Sequence, residues 1–470
     1  MSTNPTNSTE NALAVERHGI EYIDEGQRHG DPRNQFSIRF SPVIYLAAIV
    51  LGGSAVPMGL GLSGSLTAIL LGNLLGAICT AACAVMGPRL GLPQIPMGRS
   101  AFGYRGNHLP AALSSLLYLG YFTLGTILGA KSLAELFKLP FVPVMIGVVL
   151  ASVLIAIFGY NLLHAFGRWV TRVSIVVLVV VSVLLVMHGP GAGAAARLDG
   201  TEYWLVWLLE FTIVFSYTMS WAPYASDYSR YLPRDTSRGK IFGYAFAGLF
   251  LSTTWMMALG AMLTTLGSQG GVIGAFELAL PGPVLVVTLF TLGIAAIPHN
   301  SVNLYSGAMA SLTWGFPLNR SATVALSGVL GAVLAVLFGG AAFEDAFHAF
   351  LFLVAYYVTP WLAIVCADYF WVHRGGRGYP PAAEFGRPDG QLGGIRWPGM
   401  AAFLLGILVS VPFMATDLFT GPIGRALNGA DLSYFVSFLV AGGVYVLAAR
   451  RVSGVAGERP APRATSEHAD

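Results

Sequence analysis

From position 41 onward the chain alternates between long apolar runs, poor in charge, and short segments rich in Arg, Gly and Pro. Twelve runs stand out: 41–62 (helix 1), 65–86 (helix 2), 109–137 (helix 3), 141–160 (helix 4), 169–188 (helix 5), 203–224 (helix 6), 241–266 (helix 7), 283–306 (helix 8), 324–338 (helix 9), 348–372 (helix 10), 398–419 (helix 11) and 432–449 (helix 12). Most of them reach the length of about 20 residues that an α-helix needs to cross about 30 Å of hydrocarbon. In lipid the backbone must bond to itself, so runs of this length predict an all-α integral membrane protein with about 12 transmembrane helices.

Basic residues then test the count, because one missed helix would reverse the side of every later loop. With the N-terminus inside, the cytoplasmic segments hold Arg17, Arg28, Arg33, Arg39, Arg89, Arg99, Arg105, Arg168 and Arg172, and later Arg230, Arg234, Arg238, Lys240, Arg320, Arg374, Arg377, Arg387, Arg396 and the arginines from Arg450 on. The outside keeps Lys131, Lys138, Arg197 and Arg425. That asymmetry predicts a multi-pass protein of the cell membrane with both termini cytoplasmic.

Composition agrees and excludes other classes. Of 470 residues, 55% are hydrophobic and 10% charged, against about 25% charged in soluble domains. A net charge of +3, spread along the chain, is too weak for nucleic-acid binding. Cys79, Cys83 and Cys366 all lie within apolar runs, which fits neither a disulfide framework nor a metal centre. The polar start, rich in Ser, Thr and Asn, lacks the basic and apolar regions of a signal peptide and reads as a cytoplasmic tail. No His-Glu-x-x-His, suitably placed Gly-x-Ser-x-Gly, clustered carboxylates or P-loop points to an intramembrane enzyme or an ATP-driven pump. A pore-lining charge ring, the usual mark of a channel, is missing as well.

Two runs contain helix-breaking residues. Helix 1 has Gly52-Gly53-Ser54 followed by Pro57, Gly59 and Gly61, and helix 8 has Pro298-His299-Asn300. Broken backbone survives at membrane depth only where it is buried in protein or lines a wet cavity, so an interruption in each half points to a transport site. Glycine and proline also serve membrane helices as packing and kink residues.

Several stretches resemble the nucleobase:cation symporter family, in particular its purine-cytosine permease branch. They are Glu16-Arg17-His18-Gly19-Ile20 and Gln27-Arg28-His29-Gly30-Asp31-Pro32-Arg33-Asn34 before helix 1; Gly72-Asn73-Leu74-Leu75-Gly76 in helix 2; Gly87-Pro88-Arg89-Leu90-Gly91 and Arg99-Ser100-Ala101-Phe102-Gly103 after it; Trp221-Ala222-Pro223-Tyr224-Ala225-Ser226-Asp227-Tyr228-Ser229-Arg230 at the end of helix 6; and Asn303-Leu304-Tyr305-Ser306 in helix 8. The resemblance implies a leucine-transporter-like fold, with a 5+5 inverted repeat plus two peripheral helices. The expected layout is a cytoplasmic tail over 1–40, a ten-helix transport core over 41–372 with repeats at about 41–188 and 203–372, a cytoplasmic loop over 373–397, two helices over 398–449 and a tail over 450–470. It also implies alternating access around a midplane site between helices 1, 3, 6 and 8, and a break in helix 6.

A planar heterocycle needs ring faces and a few amides or hydroxyls for its polar edge. The resemblance places the stacking ring of helix 3 at Tyr121 and a base-gripping amide at Gly125, where this chain has no side chain. In helix 6 it points to Ser216, Tyr217, Ser220 and Trp221. Helix 8 offers Asn300 and Asn303, amides whose paired donor and acceptor suit a base edge, Asn300 being the first choice; each could instead tie helices together. Sodium-coupled members carry small hydroxyl residues where this chain has Pro298-His299, with helix 1 carbonyls, here near Gly52 and Gly53, as further ligands. Histidine titrates near neutrality and Glu210 is a second costly ionisable group in the membrane, so H+ is preferred over Na+ as the coupling ion. Asp227 and Arg230 have the spacing of a helical ion pair or an inner gate.

These observations predict a monomeric secondary active transporter in the lipid bilayer. It would import a nucleobase, cytosine or a purine, by cation symport, with no cofactor and no metal. The alternative is the same mechanism serving a different small heterocycle: allantoin, hydantoin, uracil, thiamine or pyridoxine.

Overall fold

The computed structural model describes residues 18–339, 343–416, 419–427, 429 and 431–456. Glu16 and Arg17 of the N-terminal motif, the rest of 1–17 and residues 457–470 lie outside them. Among the described residues the structure is helical apart from one isolated bridge between Ala415 and Thr420.

Each of the twelve expected runs coincides with a helix. Nine are unbroken or nearly so and long and apolar enough to span: Gly61–Leu90, His108–Phe137, Phe141–Phe158, Tyr160–His188, Gly200–Ser229, Arg238–Thr264, Gly282–Thr313, Arg320–Phe338 and Ser433–Arg450. Helix 1 is a bent pair, Asn34–Val43 and Leu46–Gly52, turning by 71°. Phe343–Ala367 and the shorter Trp397–Phe413 occupy the places of helices 10 and 11.

Three expectations are corrected. The first α-helix begins at Asn34 rather than at 41, and Gln35, Ser37 and Arg39 are buried against the bundle although they interrupt the apolar pattern. The break in helix 1 falls at Ile44–Tyr45, upstream of Gly52 and Gly53. Those glycines instead allow close approach to helix 7: a Cβ on Gly52 would lie 2.1 Å from the Met257 carbonyl oxygen, and one on Gly53 2.1 Å from Thr264 Oγ1. Helix 8 runs unbroken through Pro298. The proline removes one hydrogen bond, but helices 3, 4, 5 and 9 pack around this helix and hold it.

Helices 1, 2, 6 and 7 pack on one another, as do helices 3, 4, 8 and 9, with helix 5 leaning on helices 8 and 1 and helix 12 on helices 10 and 11. Each four-helix group draws two consecutive helices from each half of the core, as two repeats would supply. Apolar side chains such as Val176 and Val183 on helix 5 and Val329 and Leu337 on helix 9 point outward, where lipid covers them.

Candidate substrate and coupling site

The site forms where helix 1 comes apart. Ile44 (φ −79°, ψ 68°) ends the first half, Tyr45 is extended (φ −147°, ψ 171°), and a new helix starts at Leu46. His299 of helix 8 fills the gap. Its Nδ1 lies 2.9 Å from the Pro42 carbonyl oxygen, and its ring sits 4.0 Å from the Tyr45 ring, tilted by 31°. Nε2 has two neighbours of opposite character, the Tyr121 carbonyl at 3.2 Å and the Asn303 amide nitrogen at 3.2 Å. A neutral imidazole that donates from Nδ1 to Pro42 accepts at Nε2 from Asn303; a protonated one donates to both carbonyls. Asn303 Nδ2 also donates to the His299 carbonyl at 2.9 Å, and its Oδ1 accepts from the Tyr224 hydroxyl at 2.6 Å. Asn303 is therefore fully engaged within the protein.

Asn300 is different. Nδ2 donates to Thr126 Oγ1 at 2.9 Å, whereas Oδ1 is buried with no hydrogen-bond partner among the described residues. A Cβ on Gly125 would lie 2.2 Å from that Oδ1 and 2.5 Å from His299 Cδ2. The missing side chain on helix 3 is thus filled from helix 8: an amide still reaches the seam, carried by Asn300.

Aromatic rings enclose these groups. Tyr121 meets Tyr217 and His299 edge-on, each at 6.3 Å, and Phe350 at 5.1 Å. Its hydroxyl is 3.0 Å from Ser220 Oγ, which donates to the Tyr217 carbonyl at 2.7 Å. Helix 6 ends at Met219, so Tyr217 and Trp221 do not share a helical face; Trp221 stands past the turn with its ring 6.0 Å from His299. The hydroxyls of Tyr45 and Tyr217 are buried and lie within reach of one another. Tyr121 is 3% exposed, Tyr217 1% and Asn300 0%, so the cluster is shut from solvent in this conformation.

Other expected residues lie elsewhere. Ser216 faces Tyr434 of helix 12. Glu210 is fully buried, facing the backbone of Ala55 just past the outer half of helix 1. Asp227 accepts the Gln94 backbone N–H at 2.9 Å, while Arg230 donates to the Gly19 carbonyl at 2.8 Å and reaches the Tyr231 hydroxyl at 3.1 Å. These hydrogen bonds lead to different partners and tie loops together. Arg99 likewise donates to the carbonyls of Thr313, at 2.9 Å, and Phe385; burial lowers its pKa. Reading the sequence missed Tyr45, Thr126 and the Pro42 carbonyl. Thr126 adjoins Gly125 and Tyr45 follows Pro42 closely, but the register of helix 8 against them is set only by packing.

A family model described as permease for cytosine/purines, uracil, thiamine, allantoin matches residues 22–437. YxlA of Bacillus subtilis (strain 168), which carries a provisional purine-cytosine permease name, is 33% identical over 441 residues, covering 92% of this chain and 95% of that protein. The purine-cytosine permease FCY2 of Saccharomyces cerevisiae is 25% identical over 452 residues, covering 90% and 83%. Among solved structures, Mhp1, a nucleobase-cation-symport-1 family transporter closed on bromovinylhydantoin, matches with a TM-score of 0.71 at 18% identity over 94% of this chain and 96% of that one. At that identity the likeness speaks for the fold, which is the two-repeat architecture expected from the sequence motifs.

Proposed function

We propose, for a chain that belongs to the family of permeases for cytosine/purines, uracil, thiamine and allantoin, that it imports a nucleobase, cytosine or a purine, in symport with protons. Family membership makes it a membrane transporter of small heterocycles rather than an enzyme. The finer reading rests chiefly on the cluster at the break of helix 1: rings of Tyr45, Tyr121 and Tyr217 beside the unpartnered Oδ1 of Asn300. Ring faces would sandwich a base, and the amide and tyrosine hydroxyls would meet its polar edge once the cluster parts to admit it. Ser220 would orient Tyr121 rather than touch the base.

Proton coupling is supported by His299. Its ring stands where a cation shared by helices 1 and 8 would be held, between the Pro42 and Tyr121 carbonyls. A proton arriving at Nε2 would turn that atom toward Tyr121 and displace the Asn303 amide. Loading of the proton would thereby be linked to the seam of helices 3 and 8 that contains Asn300. Alternating access would then move helices 1, 2, 6 and 7 relative to helices 3, 4, 8 and 9, with both termini cytoplasmic.

The test is uptake of radiolabelled bases into proteoliposomes with imposed gradients. Accumulation driven by a pH gradient, lost with a protonophore and indifferent to sodium, is expected. Strict sodium dependence would overturn the coupling, and failure of every nucleobase to compete would overturn the substrate.

A further inference from the structure

His164 is buried in the first turns of helix 5, Tyr160–His188, and among the described residues neither of its ring nitrogens has a hydrogen-bond partner. A neutral imidazole has one donor and one acceptor nitrogen, and burying such groups unpaired is costly. Its nearest neighbours are rings: Tyr160 at 4.2 Å, tilted by 58°, and Tyr228, past the end of helix 6, edge-on at 6.2 Å. The charged groups acting on it are all basic, Arg168 on its own helix, Arg39 on the first half of helix 1 and His29 of the N-terminal segment. Asp227 acts on Arg39 and is not among them.

Helix 5 and helix 1 close tightly beside this histidine. Gly167, three residues on from His164, lies so near that a Cβ there would be 2.9 Å from Oγ of Ser41, which is fully buried. Pro42, the next residue, presents its carbonyl to His299 Nδ1, so the turn Ser41–Val43 touches both the helix that carries His299 and the helix that carries His164. Arg39 is anchored on the far side from helix 5's own charges: it donates to Gln35 Oε1 at 2.6 Å and to the Ala225 carbonyl at 2.8 Å. A push on Arg39 is therefore passed to the first half of helix 1 and to the segment after helix 6 together.

We infer that His164 is a proton-operated latch on the cytoplasmic side: neutral, it lets helix 5 close on the Asn34–Val43 half of helix 1; protonated, it repels Arg39, parts the two and opens the bundle inward. A proton added to either nitrogen of the closed seam finds no acceptor and faces Arg39 and Arg168, whereas in a parted seam water receives the N–H groups and screens the charge, so the charged form favours the open state. The proton then leaves to cytoplasmic water and the seam recloses. The inference rests on the proton-symport reading above for the source of that proton. It is tested on the full chain carrying Ser41→Cys as reporter, in inside-out vesicles, with a membrane-impermeant maleimide; labelling is normalised at each pH to the chain unfolded in SDS, and the chain without the reporter gives the background of its three native cysteines. Labelling should rise about tenfold, the size of one partly screened like-charge contact, from about pH 8 to about pH 5, the range over which histidine takes up its proton. His164→Gln, which never charges, should keep labelling low at both ends, and His164→Arg, which is always charged, should keep it high at both. No rise in the reporter chain, a rise that survives in His164→Gln, or low labelling throughout in His164→Arg would overturn the latch. Substrate accumulation indifferent to the pH gradient in the unmodified chain would instead sink proton symport, a result the labelling does not depend on.

Discussion

At the seam of helices 1 and 7, a Cβ on Gly260 would come within 1.8 Å of the Ile49 carbonyl oxygen and one on Gly52 within 2.1 Å of the Met257 carbonyl oxygen. At the seam of helices 3 and 8, a Cβ on Gly125 would instead meet side chains, Asn300 Oδ1 at 2.2 Å and His299 Cδ2 at 2.5 Å. The first seam uses glycine to bring backbones together, and neither backbone can yield without parting the helices. The second uses glycine to house the functional groups of a neighbouring helix, which have rotamers to move into. Loss of a methyl-sized space is therefore a matter of stability at one seam and of recognition at the other.

The sharpest way to break this contrast is Gly260→Ala. Overpacking of this kind costs about 1–3 kcal/mol even where side chains can shift; with rigid backbone opposed it should exceed that and abolish folded protein in size-exclusion of detergent extracts. A monodisperse variant of unchanged thermal stability would erase the distinction. Next in size is Gly125→Ala, which should leave a folded protein with weakened base binding. Asn300→Ala alone should cost about 1–3 kcal/mol by leaving a base donor unpaired, about 5- to 150-fold in KM. The double variant should be no worse than Asn300→Ala, since both changes disturb one contact; additive losses would show that Gly125 acts through something else.

His299→Gln keeps a polar group of similar reach but cannot carry a second proton. Uptake down a substrate gradient should persist while dependence on the pH gradient is lost, read by comparing the two modes in the same vesicles. Retained proton-driven accumulation would remove His299 from the coupling path. The smallest effect is expected from Tyr121→Phe, which gives up the bond to Ser220 and about 0.5–1.5 kcal/mol of stability with binding nearly intact. Tyr121→Ala should lose about 1–3 kcal/mol of stacking, so equal losses in the two would argue against a stacked base.

Much of the architecture was legible along the chain, because lipid forces each crossing to be a long apolar helix. The positions of the breaks were not. Proline at 298 looked disruptive and left helix 8 intact, whereas helix 1 parts at Ile44–Tyr45, where neither residue is a helix breaker by type. What decides is whether neighbours take up the freed backbone groups: His299 Nδ1 donates to the Pro42 carbonyl at the break, and that partner sits 257 positions away. Of the residues that motif and residue chemistry singled out, the fold brings Tyr121, Tyr217, Asn300 and His299 together. The same signals misplaced Ser216 and Glu210, because membrane burial applies to every face of helix 6 and periodicity could not say which face looked inward.

The pairing of Gly125 with Asn300 also constrains the order in which such a site can be reached by single substitutions. With any side chain already at 125, Asn300 must leave its present rotamer, so an intermediate carrying both folds but recognises its ligand poorly. With glycine first, helix 3 has a vacancy that helix 8 then occupies. Permeability of a sequence path, and not only the final set of contacts, is thus written into a single absent methyl group. Moving the amide to helix 3 would go through the weaker intermediate unless position 300 were emptied before position 125 was filled.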